Sequence, residues 1–348
     1  MTSAAMGARE FHDTYHRVRR ELGRVIVGQD RVLDHLLTAV FAGGHVLLTG
    51  LPGLGRTLLV KSLADALGLE FRRLQFTPDM LPTDILGAEV LESHVATGRR
   101  TFRFFKGPVF AHLVLADEVN RSPARTQSAL LEVMQERQVT VAGRTHFLPQ
   151  PFILVATENT LDSEGVWNLG EAQTDRFLMC IEQEYPDEAA ERRMVKQTTG
   201  SWSPRAERVA GPETVLAMQR FVREVPVVPS VRDFALALVR ASRPGEKGAD
   251  PEAEASLRLG ASPRGAQALL LAAKVTALAR GRRHVARQDV ADVAQPVLAH
   301  RLLMDWRAKA EGRRPRDVVE RIVLGVRQKT LGRTSYWTRE VLRPGLRP

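Results

Sequence analysis

The sequence predicts an α/β fold: a parallel sheet sandwiched by helices, interrupted by inserted β-hairpins, with an all-α domain behind it. Three observations predict it. A glycine-rich turn, Gly50 to Thr57, stands between a β-prone run and a helix-spaced run; continuous apolar runs recur downstream, each bordered by helical spacing; and after Tyr185-Pro186 the strand-like runs stop. Apolar runs without alternation belong to strands buried on both faces, which a parallel sheet covered by helices requires.

Taken in order, an N-terminal helix comes first, and residues 29–41 then carry Val32, Leu33, Leu36, Leu37 and Val40 at amphipathic spacing. His45 to Thr49 is the first strand, and helical spacing resumes from Leu58 to Leu67. Ala111 to Ala116 and Phe152 to Ala156 are further strands, the former running into two acids, and Phe177 to Ile181 reads as another, with Cys180 inside it. Two period-2 segments predict hairpins, Ala88 to Phe105 about Thr97-Gly98 and Gln138 to Leu148 about Ala142-Gly143. The core domain is therefore set at 1–185 and a helical domain at 186–330. Within the latter, Pro263 to Gly281 is a helix with a glycine stop, and Val285 to Leu303 a second helical stretch broken or bent at Pro296. Residues 331–348 hold two prolines and no periodicity, as a tail or a docking arm would.

Composition narrows the function classes. A chain of 348 residues with 44% hydrophobic and 26% charged residues has the material for a substantial core. The formal charge of +10 invites a nucleic-acid partner, but the basic residues are spread out, with small clusters such as Arg99-Arg100, Arg282-Arg283 and Arg313-Arg314 and no interleaved aromatics, so a solvated surface is the reading. The single cysteine excludes an intramolecular disulfide and fits a reducing compartment. Met1 to Glu10 holds no apolar leader and no apolar stretch reaches the roughly 20 residues that span a bilayer, so the expected location is cytoplasmic, without membrane insertion.

Chemistry concentrates at two places. Gly50-Leu51-Pro52-Gly53-Leu54-Gly55-Arg56-Thr57 has the spacing of a phosphate loop in every position but one, in the strand-to-helix context that such a loop needs. Its glycines let successive amides face a triphosphate, the helix N-terminus adds its positive end, and Thr57 offers a hydroxyl to Mg²⁺. A plain strand-to-helix turn is the bland alternative. Arg56 stands where the motif has Lys, which keeps the charge and replaces a point charge with a planar fork. The second place is Leu113-Val114-Leu115-Ala116-Asp117-Glu118, a strand ending in carboxylates. There Asp117 would hold the metal shell and Glu118 would polarise the attacking water, although a lone acidic helix cap would look the same.

These residues resemble the MoxR family of AAA+ proteins over about residues 15–330. The resemblance is carried by Val27-Gly28-Gln29, by Gln75-Phe76-Thr77-Pro78-Asp79-Met80-Leu81-Pro82, by Ala116 to Arg121, by Gln127 to Val139, by Glu171 to Phe177, and by Ala261-Ser262-Pro263-Arg264. It implies a P-loop AAA+ core with a helical lid, binding ATP and Mg²⁺. Val27, Gly28 and the loop Gly50, Pro52, Gly53, Leu54, Gly55, Arg56, Thr57 and Leu58 would contact the nucleotide, with Thr57 and Asp117 on the metal. By the same resemblance Asn159 matches sensor 1, Arg176 the arginine finger that reaches a neighbouring subunit's nucleotide, and Arg264 sensor 2. The hairpins match the helix-2 insert and the pre-sensor-1 insert.

The family pattern further implies a homo-oligomeric ring, six subunits by expectation, that remodels or matures a client, with a von Willebrand factor A-type protein as first candidate partner. Besides Arg56, Glu158 replaces the usual Gln and Thr160 the usual Pro. An added carboxylate at 158 would repel phosphates or recruit an arginine such as Arg121. Slow hydrolysis is therefore expected. Two other classes stay open: a scaffold that binds nucleotide and barely turns over, and a DNA-remodelling motor using Arg99, Arg100 and Arg144 near the hairpin turns.

Overall fold

The computed structural model describes residues 6–93, 100–159, 166–200 and 204–341. The chain forms two compact units, Met1–Glu224 with Leu278–Arg282, and Val225–Ala277 with Arg283–Pro348. The first unit thus continues well past residue 185, where the sequence pattern sets the boundary.

The first unit holds α1 (Ala8–Val25), α2 (Asp30–Ala42), β1 (Val46–Gly50), α3 (Arg56–Leu67), β2 (Phe71–Gln75), α4 (Pro82–Leu86), β3 (Gly87–Ser93), β4 (Arg100–Lys106), β5 (Leu113–Asp117), α5 (Ala124–Glu136), β6 (Gln138–Val141), β7 (Arg144–Phe147), β8 (Ile153–Thr157), α6 (Glu171–Thr174), β9 (Met179–Gln183), α7 (Glu188–Thr198) and α8 (Pro212–Glu224). Five strands make one sheet in the order β2-β5-β8-β1-β9, every pairing parallel. The three interior strands β1, β5 and β8 are the continuous apolar runs, and Val46, Leu48, Leu113 to Ala116 and Ile153 to Ala156 are fully buried. That is the architecture the sequence predicts: a parallel sheet flanked by helices.

β2 is absent from the sequence prediction. It is an edge strand that buries only Leu74 and exposes Arg72 and Arg73, so no apolar run marks it. Cys180 lies in β9 as expected, half-buried, with Sγ 3.7 Å from the Thr49 hydroxyl.

Both hairpins form. β6 and β7 join through Ala142 and Gly143, at φ 47° and 75°, the paired left-handed residues of a type I′ turn. β3 pairs with β4 from Gly87↔Lys106 to Ser93↔Arg100, and the expected turn at Thr97-Gly98 lies outside the described residues. Phe104 of β4 stacks on His146 of β7 with centroids 4.1 Å apart, so the hairpins touch. One expectation is corrected here. Along β4, Phe102, Phe104 and Phe105 are interspersed among Arg100, Arg103 and Lys106, and Phe102 is 68% exposed.

The second unit contains α9 (Pro229–Ala241), α10 (Pro251–Ser256), β10 (Leu257–Leu259), most of α11 (Pro263–Ala279), α12 (Arg287–Asp292), α13 (Ala294–Leu298), β11 (Leu303–Met304), α14 (Trp306–Ala310) and α15 (Pro315–Val341). It is helical apart from β10 and β11, a short antiparallel pair that the sequence reading did not anticipate. The break expected at Pro296 falls instead at Val293, because Pro296 sits in the first turn of α13, where the missing N–H leaves no intrahelical bond unmade. α15 carries the chain as helix to Val341, where an aperiodic tail from about residue 330 was expected. Among the described residues no helix is long and apolar enough to cross a membrane.

Candidate functional site

Parallel strands deliver their C-terminal ends to one edge of the sheet, and that edge is where open α/β sheets collect ligands. Here Gln75 stands beside Asp117, Gly50 beside Gln183, and Thr157 beside Leu48.

The phosphate loop leaves β1 at Gly50, whose φ is 118°; an added Cβ would lie 2.3 Å from the Gln183 carbonyl oxygen, so only glycine passes. Gly53 and Gly55 also have positive φ, 81° and 72°, but a Cβ at either would meet no atom within 4 Å. Close packing thus dictates the first glycine, while backbone conformation in open space dictates the other two. Pro52 is exposed and Leu54 buried, and Leu58 is 47% exposed. Arg56 and Thr57 open α3, both half-buried, which puts the positive helix end under the loop.

A chain of amides pins this loop. Gln183 Nε2 donates to Gln29 Oε1 at 2.9 Å, and Gln29 Nε2 donates to the Leu54 carbonyl at 2.9 Å. Gln29 is therefore the member of the Val27-Gly28-Gln29 stretch that the structure ties to the loop. Val27 is half-buried beside it, whereas Gly28 answers to α7, since a Cβ there would lie 2.5 Å from Ala190 Cβ.

Arg56 turns its fork onto the walls of the site. Nε donates to Gln183 Oε1 at 2.9 Å, Nη1 to the Glu158 carbonyl at 3.2 Å and Nη2 to the Gly50 carbonyl at 2.6 Å. Burial lowers its pKa, opposed by the attraction of Asp117 and Glu118. A lysine has no planar fork to hold three such acceptors at once.

At the end of β5 the Thr157 hydroxyl accepts from the Glu118 amide at 2.8 Å and donates to Asp117 Oδ1 at 2.7 Å. Glu118 is thereby held in the left-handed region at φ 57°, ψ 49°, a strained conformation for a non-glycine residue. Asp117 Oδ2 accepts from Arg73 Nε at 3.0 Å and Nη2 at 2.6 Å. Glu118 Oε2 accepts from Gln75 Nε2 at 2.9 Å and Arg121 Nη1 at 3.1 Å. Arg121 thus pairs with Glu118, which corrects the expectation that Glu158 would recruit it. Burial raises the Glu158 carboxyl above the usual range, offset in part by the Leu169 amide.

The remaining predicted residues are placed as follows. Asn159 has its backbone clamped by the Asn120 side chain, Nδ2 to its carbonyl at 3.0 Å and Oδ1 from its amide at 3.4 Å. Arg176, just past α6, donates from Nη1 to the Leu131 carbonyl at 3.1 Å, and its Nε is buried with no hydrogen-bond partner. Arg264 is exposed near the start of α11 in the second unit, where its amide donates to Ser262 Oγ at 3.1 Å. Thr160 lies outside the described residues.

The donor set fits a nucleoside triphosphate with a hard cation. Positive-φ glycines in an open loop at a helix N-terminus suit phosphate oxygens, and hydroxyl and carboxylate oxygens from Thr57 and Asp117 suit Mg²⁺. Sequence reasoning did not single out Gln29, Arg73, Gln75, Asn120, Thr157 or Gln183. The Val27-Gly28-Gln29, Gln75 to Pro82 and Ala116 to Arg121 stretches carried a signal for Gln29, Gln75 and Asn120, but it named no role for them, and Arg73, Thr157 and Gln183 carried none.

Comparison with known proteins points the same way. Residues 45–179 match the family described as "ATPase family associated with various cellular activities (AAA)", and residues 250–322 match an AAA lid domain. The chain is 40% identical to chaperone MoxR1 of Mycobacterium tuberculosis, covering 91% of this chain and 82% of that protein. It is 31% identical to protein MoxR of Methylorubrum extorquens, covering 85% and 89%. A crystal structure from Cytophaga hutchinsonii, named for an inferred ATPase, superposes with a TM-score of 0.83 at 38% identity, covering 91% of this chain and 95% of that one.

Proposed function

This chain belongs to the MoxR family of AAA+ ATPases, and we propose that it binds ATP with Mg²⁺ at the Gly50–Thr57 loop, hydrolyses it slowly, and uses the cycle as a ring to remodel a client protein. One observation carries the reading: the open loop at Gly53 and Gly55 follows β1 on the same sheet edge as the Asp117-Glu118 pair. Loop amides and the α3 N-terminus bind the phosphates. Thr57 and Asp117 would hold Mg²⁺, which neutralises charge on the β- and γ-phosphates. Glu118, held by Thr157, Gln75 and Arg121, orients the attacking water and accepts its proton on the carboxylate, with the Asn159 amide as a second guide.

Arg56 sets the pace. Its guanidinium is committed to three wall acceptors, so it steadies the loop at the expense of following the γ-phosphate as charge develops. In the ring, expected to have six subunits, Arg176 reaches the neighbouring nucleotide and Arg264 reports nucleotide state to the lid. A protein bearing a von Willebrand factor A-type domain is the proposed partner.

Calorimetry with Mg²⁺ tests the reading, and absence of uptake of any adenine nucleotide sinks it. Sedimentation with and without ATP tests the ring; a species that stays monomeric in both removes the trans role of Arg176. The exposed Phe102 among Arg100, Arg103 and Lys106 favours a second reading, a motor on nucleic acid. Failure to bind DNA at low salt removes it.

A further inference from the structure

We infer that Arg73 is an internal counter-cation for Asp117: it holds Oδ2 until a divalent cation displaces it. The inference rests on the nucleotide site proposed above. Arg73 acts through Asp117 and is a positioning residue.

Both N–H bonds from Arg73 converge on one oxygen, Oδ2, at 3.0 and 2.6 Å, while Oδ1 is engaged by the Thr157 hydroxyl at 2.7 Å. The Asp117 side chain is 13% exposed, and an ionised carboxylate that far from water needs a compensating charge. Arg73 supplies that charge on the oxygen that a hard cation would seek. It is also built to leave. Its side chain is 46% exposed on an edge strand, so a solvated arginine is an accessible alternative and the pair is a modest one. A strap between strands would be redundant, because β2 and β5 are already in register from Phe71↔Leu113 to Gln75↔Asp117.

The same guanidinium reaches the second acid. Arg73 Nη2 donates to Gln75 Oε1 at 2.6 Å, and Gln75 Nε2 donates to Glu118 Oε2 at 2.9 Å. Nucleotide binding follows as possible at low Mg²⁺, with the carboxylates still compensated.

The test is Mg²⁺ titration of a ribose-labelled fluorescent ATP bound to the full chain, comparing wild type with Arg73→Met and Arg73→Lys. Removing a competing cation of this strength lowers the half-saturating Mg²⁺ concentration about fivefold in Arg73→Met, with Arg73→Lys in between and ATP affinity at saturating Mg²⁺ unchanged. Methionine keeps the apolar stem, and thermal unfolding of both variants controls for the fold. An unshifted or raised Mg²⁺ midpoint overturns the inference, and so does weaker ATP binding at saturating Mg²⁺, which would make Arg73 a phosphate ligand. Wild type that takes up no nucleotide at any Mg²⁺ concentration overturns the site itself, an outcome separate from an unshifted midpoint.

Discussion

The phosphate loop and the acid pair share one sheet edge and are built in opposite ways. At Gly53 and Gly55 the backbone lies open, with no atom within 4 Å of an added Cβ. At Asp117 and Glu118 side chains meet side chains, and both oxygens of Asp117 are already engaged by Arg73 and Thr157. An anion approaching the loop meets amides whose positions were fixed when the chain folded. A cation approaching the acids must exchange with partners the chain supplies itself. The loop should therefore respond to backbone geometry, and the acids to side-chain charge.

The largest test of that contrast is Glu118→Gln, which keeps shape and removes charge. Steady-state phosphate release should fall by about 10²–10³-fold, the scale of a lost general base, with nucleotide affinity retained. Rates equal to wild type would favour a scaffold that binds and barely turns over. Next come two alanines in the loop. Gly50→Ala meets the Gln183 carbonyl and should cost about 3 kcal/mol by denaturant unfolding, whereas Gly53→Ala strains only φ and should cost about 1 kcal/mol. Equal costs would mean that the loop relaxes freely and is not fixed by folding.

Smaller is Arg56→Lys, which exchanges a fork on three acceptors for a mobile point charge. Turnover should rise about tenfold, or about 1.4 kcal/mol of barrier. No gain would clear Arg56 of the slow step.

The smallest effect belongs to Glu158, whose carboxyl is raised by burial. Because its protonated form is favoured by folding, its contribution to stability is full below the ordinary glutamate pKa and is lost as pH rises through the raised value. Glu158→Gln should lift Tm by about 1–2 °C at neutral pH and leave it unchanged in acid. The opposite pH trend would show that Glu158 is stabilised as an anion.

Legibility follows burial. β1, β5 and β8 could be read because interior strands need apolar residues on both faces, and the Ala142-Gly143 turn because two left-handed residues in succession favour such a pair. β2 could not, since an edge strand with Arg72 and Arg73 looks like any solvated segment. The same property hid part of the site. Arg73 and Gln75 lie more than forty residues before Asp117 and Glu118, and Gln183 lies far beyond Gly50 and Arg56, so no local spacing connects them. Pro296 misled because proline breaks a helix interior and is harmless in a first turn, and only the start of α13 distinguishes the two.

By itself the sequence determined where the candidate site lies. Glycine spacing, a strand running into two acids and a family of matching stretches are covalent facts, and they locate the loop, Asp117 and Glu118 whatever surrounds them. Tertiary structure decided which partners those groups meet: Arg56 on the Gly50 and Glu158 carbonyls, Arg73 on Asp117, Arg121 on Glu118. The physical reason is that an ion pair depends on which strands become neighbours and which face water, and a parallel sheet makes neighbours of residues its sequence keeps far apart.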